Sequence, residues 1–180
     1  MMILIVGGSG SGKSSYAERI ACELGADDSG GIPKYYLATM RIWDEEGQRK
    51  ADRHQQMREG KGFLTVEQAT DISDALHRMT AGEKVILLEC VSNLTANEMF
   101  AEGEMRARSR VEERVLRDIG CLRNMSTHLV VVSNNVFEDG TVYDPSTMEY
   151  IRAMGRINTG LAALADRVVE VVAGIPVRVK

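Results

Sequence analysis

Eight consecutive residues, Gly7-Gly8-Ser9-Gly10-Ser11-Gly12-Lys13-Ser14, fit the pattern G-x-x-x-x-G-K-[ST]. Glycines at this density let a backbone curl so that successive N–H groups point inward at phosphate oxygens with no side chains in the way. In such a loop Lys13 reaches the β and γ phosphates, and Ser14 offers its hydroxyl to Mg²⁺. The helix that follows adds its unpaired N–H groups and the positive end of its dipole to the same anion. The flanking sequence supplies the context the motif needs: the apolar run Met2-Ile3-Leu4-Ile5-Val6 before it and a helix-like segment over residues 15–24 after it. The expected chemistry is nucleotide binding.

Two further residues could act on a bound nucleotide. Glu89 closes the apolar run Val85-Ile86-Leu87-Leu88, the place where P-loop proteins keep the acid that holds Mg²⁺. His54 lies in a charged segment with Lys50 and Arg58 four residues to either side, so a helix would set an imidazole between two cations on one stripe. Adjacent positive charge keeps a histidine neutral and nucleophilic near pH 7, and the same cations would neutralise a triphosphate. The pattern alone leaves His54 open between a nucleophile and a solvated side chain. His77 and His128 have no partner at ligand-like spacing and read as structural or exposed. The guanine-reading sequence N-K-x-D is absent, Asp27-Asp28-Ser29-Gly30 reads as a surface loop, and the ten methionines are scattered as core filler.

The elements that must position these residues alternate between strand and helix. Strands are expected at 2–6, 34–39, 63–67, 85–89 and 128–133, the last ending at Asn134 and Asn135. Helices are expected over 15–24, 44–61, 69–79, 93–101, 111–125 and 148–165. Continuous apolar strands are buried on both faces, as in a parallel sheet. The tail, Arg167 to Val172, then Ala173-Gly174-Ile175-Pro176 and Val177 to Val179, reads as a β-hairpin at a sheet edge. The fold expected is α/β, P-loop NTPase-like: a mostly parallel central sheet flanked by helices, over one nucleotide-binding domain spanning residues 1–180. The segment over 44–61 has little apolar stripe and is expected to stand off the core.

At 180 residues the chain is long enough for one well-buried core. A net charge of −4 gives no whole-molecule field toward nucleic acid or an anionic membrane. The three cysteines form no C-x-x-C pair and read as buried, reduced thiols. With no basic leader or long apolar span at the start, neither export nor membrane insertion is expected, and the location expected is cytoplasmic.

Taken together the residues resemble the bifunctional adenosylcobinamide kinase/adenosylcobinamide-phosphate guanylyltransferase family of cobalamin biosynthesis. The likeness runs nearly end to end: the P-loop, Tyr36-Leu37-Ala38-Thr39, Asp44 and Glu46 ahead of His54, and Thr65-Val66-Glu67. It continues through Leu87-Leu88-Glu89-Cys90, Asn97, Gly155-Arg156-Ile157-Asn158, Leu161-Ala162, Ala165-Asp166 and Gly174-Ile175-Pro176-Val177. The resemblance implies phosphorylation of adenosylcobinamide by a nucleoside triphosphate, then transfer of GMP from GTP onto that phosphate. ATP and GTP are the implied nucleotides, Mg²⁺ the implied ion with Ser14 and Glu89 as its ligands, and a homotrimer the implied assembly. His54 matches the histidine that carries GMP, and Glu67 and Glu89 match positions contacting the guanine nucleotide, which gives Glu89 two candidate roles. The chain departs from the family where T-N-E-V-G is usual and Ser133-Asn134-Asn135-Val136-Phe137 stands instead. Gly47 replaces a usual methionine, and a glycine there is expected to delay or bend the helix carrying His54. Two other readings remain at this level: a small-metabolite kinase without guanylyl transfer, and a nucleotide-binding sensor without turnover.

Overall fold

The computed structural model describes residues 1–26, 31–42, 45–103, 105–135, 140–141 and 143–180, with residues 46, 50, 51, 53, 54, 57 and 102 described by backbone alone. The loop tetrad 27–30, Asp44, Val136 and Phe137 lie outside the described residues.

Seven strands form one sheet: β1 (Met2–Gly7), β2 (Lys34–Ala38), β3 (Phe63–Glu67), β4 (Val85–Glu89), β5 (His128–Asn134), β6 (Arg167–Val172) and β7 (Ile175–Arg178). Their spatial order is β3-β2-β4-β5-β1-β6-β7. Every pairing is parallel except β6 with β7, the expected C-terminal hairpin at one edge. Among the described residues five α-helices accompany it: α1 (Lys13–Gly25), α2 (Glu45–Arg58), α3 (Val91–Met99), α4 (Arg108–Asn124) and α5 (Pro145–Leu164).

The unbroken apolar strands are explained by helices on both faces. Side chains alternate across a strand, so Met2 and Leu4 of β1 join the cluster beneath α3, α4 and α5, with Leu94, Val115, Ile119, Ile157 and Leu161. Ile3 and Ile5 point the other way, into a smaller cluster with Ala17, Ile20 and Ala21 of α1. β4 and β5 divide in the same manner. A strand serving two layers has no polar face to display, which is why period-two alternation is missing from the sequence.

The structure departs from the sequence expectations in several places. Residues 69–79 hold no α-helix; a 3-10 helix, Ile72–Arg78, stands there instead. Its buried residues Ile72 and Ala75 are three apart, which suits the three-residue turn of that helix, and Asp71 before it is left-handed at φ 49°. α2 begins at Glu45 and runs through Gly47 without interruption. α5 begins three residues earlier than expected because Asp144 caps it, its carboxylate accepting from the Ser146 and Thr147 N–H groups, with Pro145 in the first turn. The thiols are less enclosed than expected: Cys22 and Cys90 are half-buried, and Cys121 is exposed on the outer side of α4. α2 does stand off the core, since none of its described side chains is buried. No helix among the described residues is long and apolar enough to cross a membrane.

The junction between α5 and β6 is pinned to the start of β1 by Asp166. Its carboxylate accepts the Met2 N–H at 2.6 Å, and that hydrogen bond, ahead of the Arg123 charge, holds its pKa below the usual carboxylate range. A depressed folded-state pKa means the contribution is fully present above the unfolded value, about 3.9, and is lost as pH falls through the folded value. Asp166→Asn should therefore unfold at lower urea than wild type at pH 7. The gap should close as pH drops below the ordinary aspartate range; a gap independent of pH would contradict this role.

Candidate active site

The P-loop joins β1 to α1 and is fitted closely to the sheet. Gly7 ends β1, and its carbonyl accepts the Asn135 N–H at 3.2 Å. A Cβ on Gly7 would lie 2.6 Å from both the Val171 carbonyl oxygen and Ser11 Oγ, so only glycine allows β1 to approach β6 there. Gly12 takes φ 90° as it opens α1, a conformation that side chains with a Cβ rarely adopt. The loop then closes with Ser11 N–H donating to the Gly8 carbonyl at 3.2 Å and Tyr16 N–H to the Gly12 carbonyl at 3.1 Å. Lys13 curls back over the loop and its ammonium donates to the Gly8 carbonyl at 2.9 Å. Burial pushes the Lys13 pKa down, with the nearby Glu89 carboxylate acting against it.

The C-terminal hairpin braces this loop from behind. Its turn places Ala173 at φ 49° and Gly174 at φ 81°, the left-handed pair that a two-residue hairpin requires. The Gly174 N–H donates to the Ser11 carbonyl at 2.8 Å. That contact ties the hairpin turn to the P-loop, a link that the sequence did not show.

Glu89 is brought to the P-loop from 75 residues away. The Ser14 hydroxyl donates to its Oε1 in a short hydrogen bond, and the Tyr36 hydroxyl reaches Oε2 at 3.3 Å. Burial, then the Glu89 charge, pushes the Tyr36 phenol far up, so it stays a neutral donor. Arg58, the last residue of α2, lies with its guanidinium 3.4 Å from the Tyr36 ring centroid, and its Nη1 is buried with no hydrogen-bond partner among the described residues. Next to Glu89, Cys90 exchanges two 2.8 Å hydrogen bonds with Thr39: its N–H donates to Thr39 Oγ1, and that hydroxyl donates to its carbonyl. Burial pushes the Cys90 thiol up, which keeps it protonated and unreactive.

Glu67 ends β3, and the register sets both Glu67 and Glu89 opposite Ala38 of the intervening β2. Two strand spacings put the two backbones about 10 Å apart at one level. Between them, at the carboxyl ends of the strands, opens a cavity of about 790 Å³ lined by Glu67, Glu89, Tyr36, Arg58 and Asn93 among others. That is where ligands bind in open parallel sheets, and the volume suits a nucleotide-sized molecule. The backbone of His54 lies on α2 one turn before Arg58; its side chain and that of Lys50 lie outside the described residues. Arg58, expected beside His54, spends its guanidinium on Tyr36. No group of three or more histidine, cysteine or acidic side chains among the described residues could hold a metal ion unaided.

Several supporting residues carried no mechanism in the sequence. Asn97 donates to the carbonyls of Thr39 at 2.7 Å and Ala69 at 3.0 Å, tying together the segments after β2 and β3 that border the cavity. Asn158 accepts from Ser133 Oγ at 2.6 Å and donates to the Asn134 carbonyl at 3.2 Å. Asn134 in turn donates to Ser92 Oγ at 2.6 Å, which lies 3.0 Å from Cys90 Sγ. The Gly155-Arg156-Ile157-Asn158 motif thus locks the ends of β5 and β4 together behind Glu89. Tyr36 and Thr39 were marked only by resemblance and Arg58 only as a neighbour of His54, because their partners come from other elements.

A glycine loop between a central parallel strand and its helix, facing an acid at the end of a second strand, defines a P-loop nucleotide-binding protein. The family profile described as cobinamide kinase / cobinamide phosphate guanyltransferase matches residues 3–179, and the chain belongs to that family. It is 30% identical over 190 residues to the bifunctional adenosylcobalamin biosynthesis protein CobU of Escherichia coli, all of both chains being covered. The protein of that name from Salmonella typhimurium is 31% identical over 191 residues, again with full coverage. The bifunctional adenosylcobalamin biosynthesis protein CobP of Pseudomonas aeruginosa is 26% identical over 180 residues, 100% of this chain and 98% of that one.

The Asn158 relay has a measurable weight. Asn158→Ala leaves Ser133, which is fully buried, without its acceptor, and should lower the unfolding free energy by about 1–3 kcal/mol. Urea titration checks this; a loss under a few tenths would mean water replaces the amide at no cost.

Proposed function

We propose that this chain is a bifunctional enzyme of one nucleotide-binding domain over residues 1–180, acting as a kinase on adenosylcobinamide and then as a guanylyltransferase on its phosphate. The observation that carries the reading is the contact of Ser14 with Glu89, a residue that lines the cavity at which α2 ends through Arg58. One P-loop can then serve two reactions on neighbouring substrates.

In the kinase step the loop N–H groups of residues 7–14 and the Lys13 ammonium hold the β and γ phosphates. Lys13 leaves the Gly8 carbonyl to do so. The terminal hydroxyl of the aminopropanol arm attacks the γ phosphorus, its proton is lost, and the nucleoside diphosphate leaves. Positioning and charge neutralisation supply most of what such a transfer needs. In the second step a neutral nitrogen of His54 attacks the α phosphorus of GTP, and pyrophosphate leaves with both its bonding electrons. The phosphate of the cobinamide then attacks the phosphorus of the histidine-bound GMP, the N–P bond breaks, and adenosylcobinamide-GDP forms. Arg58 lines the cavity with its guanidinium on the Tyr36 ring and adds positive charge where the phosphates would lie.

Ser14 and Glu89 are hard oxygen donors side by side, which suits Mg²⁺ held jointly with substrate phosphates. When bound, the ion would neutralise charge on the β and γ oxygens. Because Glu89 contacts Ser14 directly, its place favours the metal role, leaving guanine to Glu67 across the cavity. A homotrimer would suit α2, whose described side chains bury nothing within their own chain, and a cytoplasmic location fits the substrates.

Three substitutions test these roles. Lys13→Ala should abolish both transfers, and near-normal turnover of either would refute the P-loop assignment. Glu89→Gln should cost activity far more than Asn135→Ala, because an amide binds Mg²⁺ more weakly than a carboxylate; equal losses would reverse that ranking. His54→Ala should lose GMP transfer and keep kinase activity, since only the former needs a covalent nucleophile. Wild type given α-labelled GTP and Mg²⁺ should take up a label that is labile in acid and stable in alkali. A wild type that takes no label, or a variant that labels equally, would leave the simple kinase as the better reading.

A further inference from the structure

None of the described side chains of α2 is buried. Residues 59–62 follow it as a tight turn, with Glu59 N–H donating to the Gln56 carbonyl at 3.2 Å and Lys61 N–H to the Arg58 carbonyl at 3.1 Å. Gly60 and Gly62, at φ 75° and 71°, bracket Lys61 and fix its direction. The Lys61 ammonium meets Glu18 Oε2 at 2.6 Å, with the Glu18 side chain wholly buried. Three residues earlier, Arg58 stacks on Tyr36. These are cationic contacts at the C-terminal end of α2, and Glu18 sits one turn beyond Ser14 on α1, the P-loop helix itself.

Stability alone does not account for the Lys61–Glu18 pair. An ion pair with a buried partner is often matched or bettered by apolar residues of similar volume, and Glu18 Oε1 is buried with no hydrogen-bond partner among the described residues, an added cost. What the pair does supply is location: it ties the segment after α2 to a fixed point on the helix that cradles the phosphates. Residue 54 lies on the same face of α2 as Arg58 and about 6 Å along the axis from it. Its distance from a P-loop-bound nucleotide is therefore set where α2 is fastened.

We propose that Lys61 and Glu18, with Arg58 on Tyr36, are positioning residues that set the reach of residue 54 toward the nucleotide; this rests on His54 being the guanylyl carrier. Phosphoryl transfer uses groups built on β1, α1 and the end of β4 and does not depend on where α2 stands. In-line attack by a side chain on α2 does, and a misplacement of about 1 Å can cost on the order of 100-fold in rate.

The test measures two rates in the full-length protein: acid-labile labelling by α-labelled GTP, and phosphoryl transfer from a γ-labelled triphosphate to adenosylcobinamide. Lys61→Met should slow labelling by about 10- to 100-fold and leave phosphoryl transfer within about threefold. Lys61→Arg should recover most of the labelling. Because Lys61→Met strands a buried carboxylate, Glu18→Gln/Lys61→Met is measured beside it; it should keep the wild-type unfolding midpoint and show the same split. Labelling at the wild-type rate in both methionine variants, or equal loss of both reactions in the double variant at an unchanged midpoint, would overturn the anchor. A wild type that takes up no label overturns the His54 reading and this inference with it. A wild type that labels while Lys61→Met labels as fast overturns this inference alone.

Discussion

The site depends on one juxtaposition: a hydroxyl at the start of α1 against a carboxylate at the end of β4. Ser14 and Glu89 meet because both β1 and β4 run in the same direction and both pair with β5. In a parallel sheet the carboxyl ends of all strands open on one side, so the P-loop after β1 and the residue closing β4 share that side whatever lies between them in sequence. The side chains that could touch a nucleotide are placed by strand register, and the surrounding hydrogen bonds keep them there. Thr39 grips Cys90, Asn97 grips Thr39 and Ala69, and Asn158 grips the end of β5.

That arrangement separates a rigid half from a lightly held one. The P-loop is hemmed in on three sides: β6 leaves no room for a Cβ at Gly7, the Gly174 N–H holds the Ser11 carbonyl, and Asn135 holds Gly7 from β5. A loop held in this way keeps its backbone in place, which is what electrostatic preorganisation requires, while the Lys13 ammonium is engaged by the Gly8 carbonyl. α2 buries no described side chain and hangs from charged contacts at one end. Segments with few buried apolar contacts open at low free energy.

Much of the rigid half was legible in the sequence, and the reason is that it is local. The P-loop declares itself in eight residues, the buried strands in unbroken apolar runs, and the edge hairpin in its turn residues, although the turn is Ala173-Gly174 alone and Ile175-Pro176 already belong to β7. The misreadings fall where tertiary partners decide. Residues 69–79 have helical composition, yet Asp71 is held left-handed with its N–H given to the buried carboxylate of Glu98. Arg58 shares a helical stripe with His54, but Tyr36, 22 residues earlier on another strand, takes its guanidinium. Lys61 looked like one more charge in a polar run; only the fold shows it reaching Glu18, 43 residues back. Asn97 and Asn158 carried only resemblance until their carbonyl partners were in place.

The departure from the family at residues 133–137 can be weighed in the same terms. Where a carboxylate is usual at position 135, the amide of Asn135 keeps the backbone role intact, its N–H donating to the Gly7 carbonyl at the root of the P-loop. Ser133 and Asn134, on either side of the Asn158 amide, retain their hydroxyl and carbonyl contacts. What the exchange removes is one negative charge near a loop that must bind an anion. Next to a triphosphate that loss is favourable for binding and unfavourable for holding a second cation. Among the described residues Glu89 is the carboxylate that touches Ser14, and that contact stands with the amide at position 135.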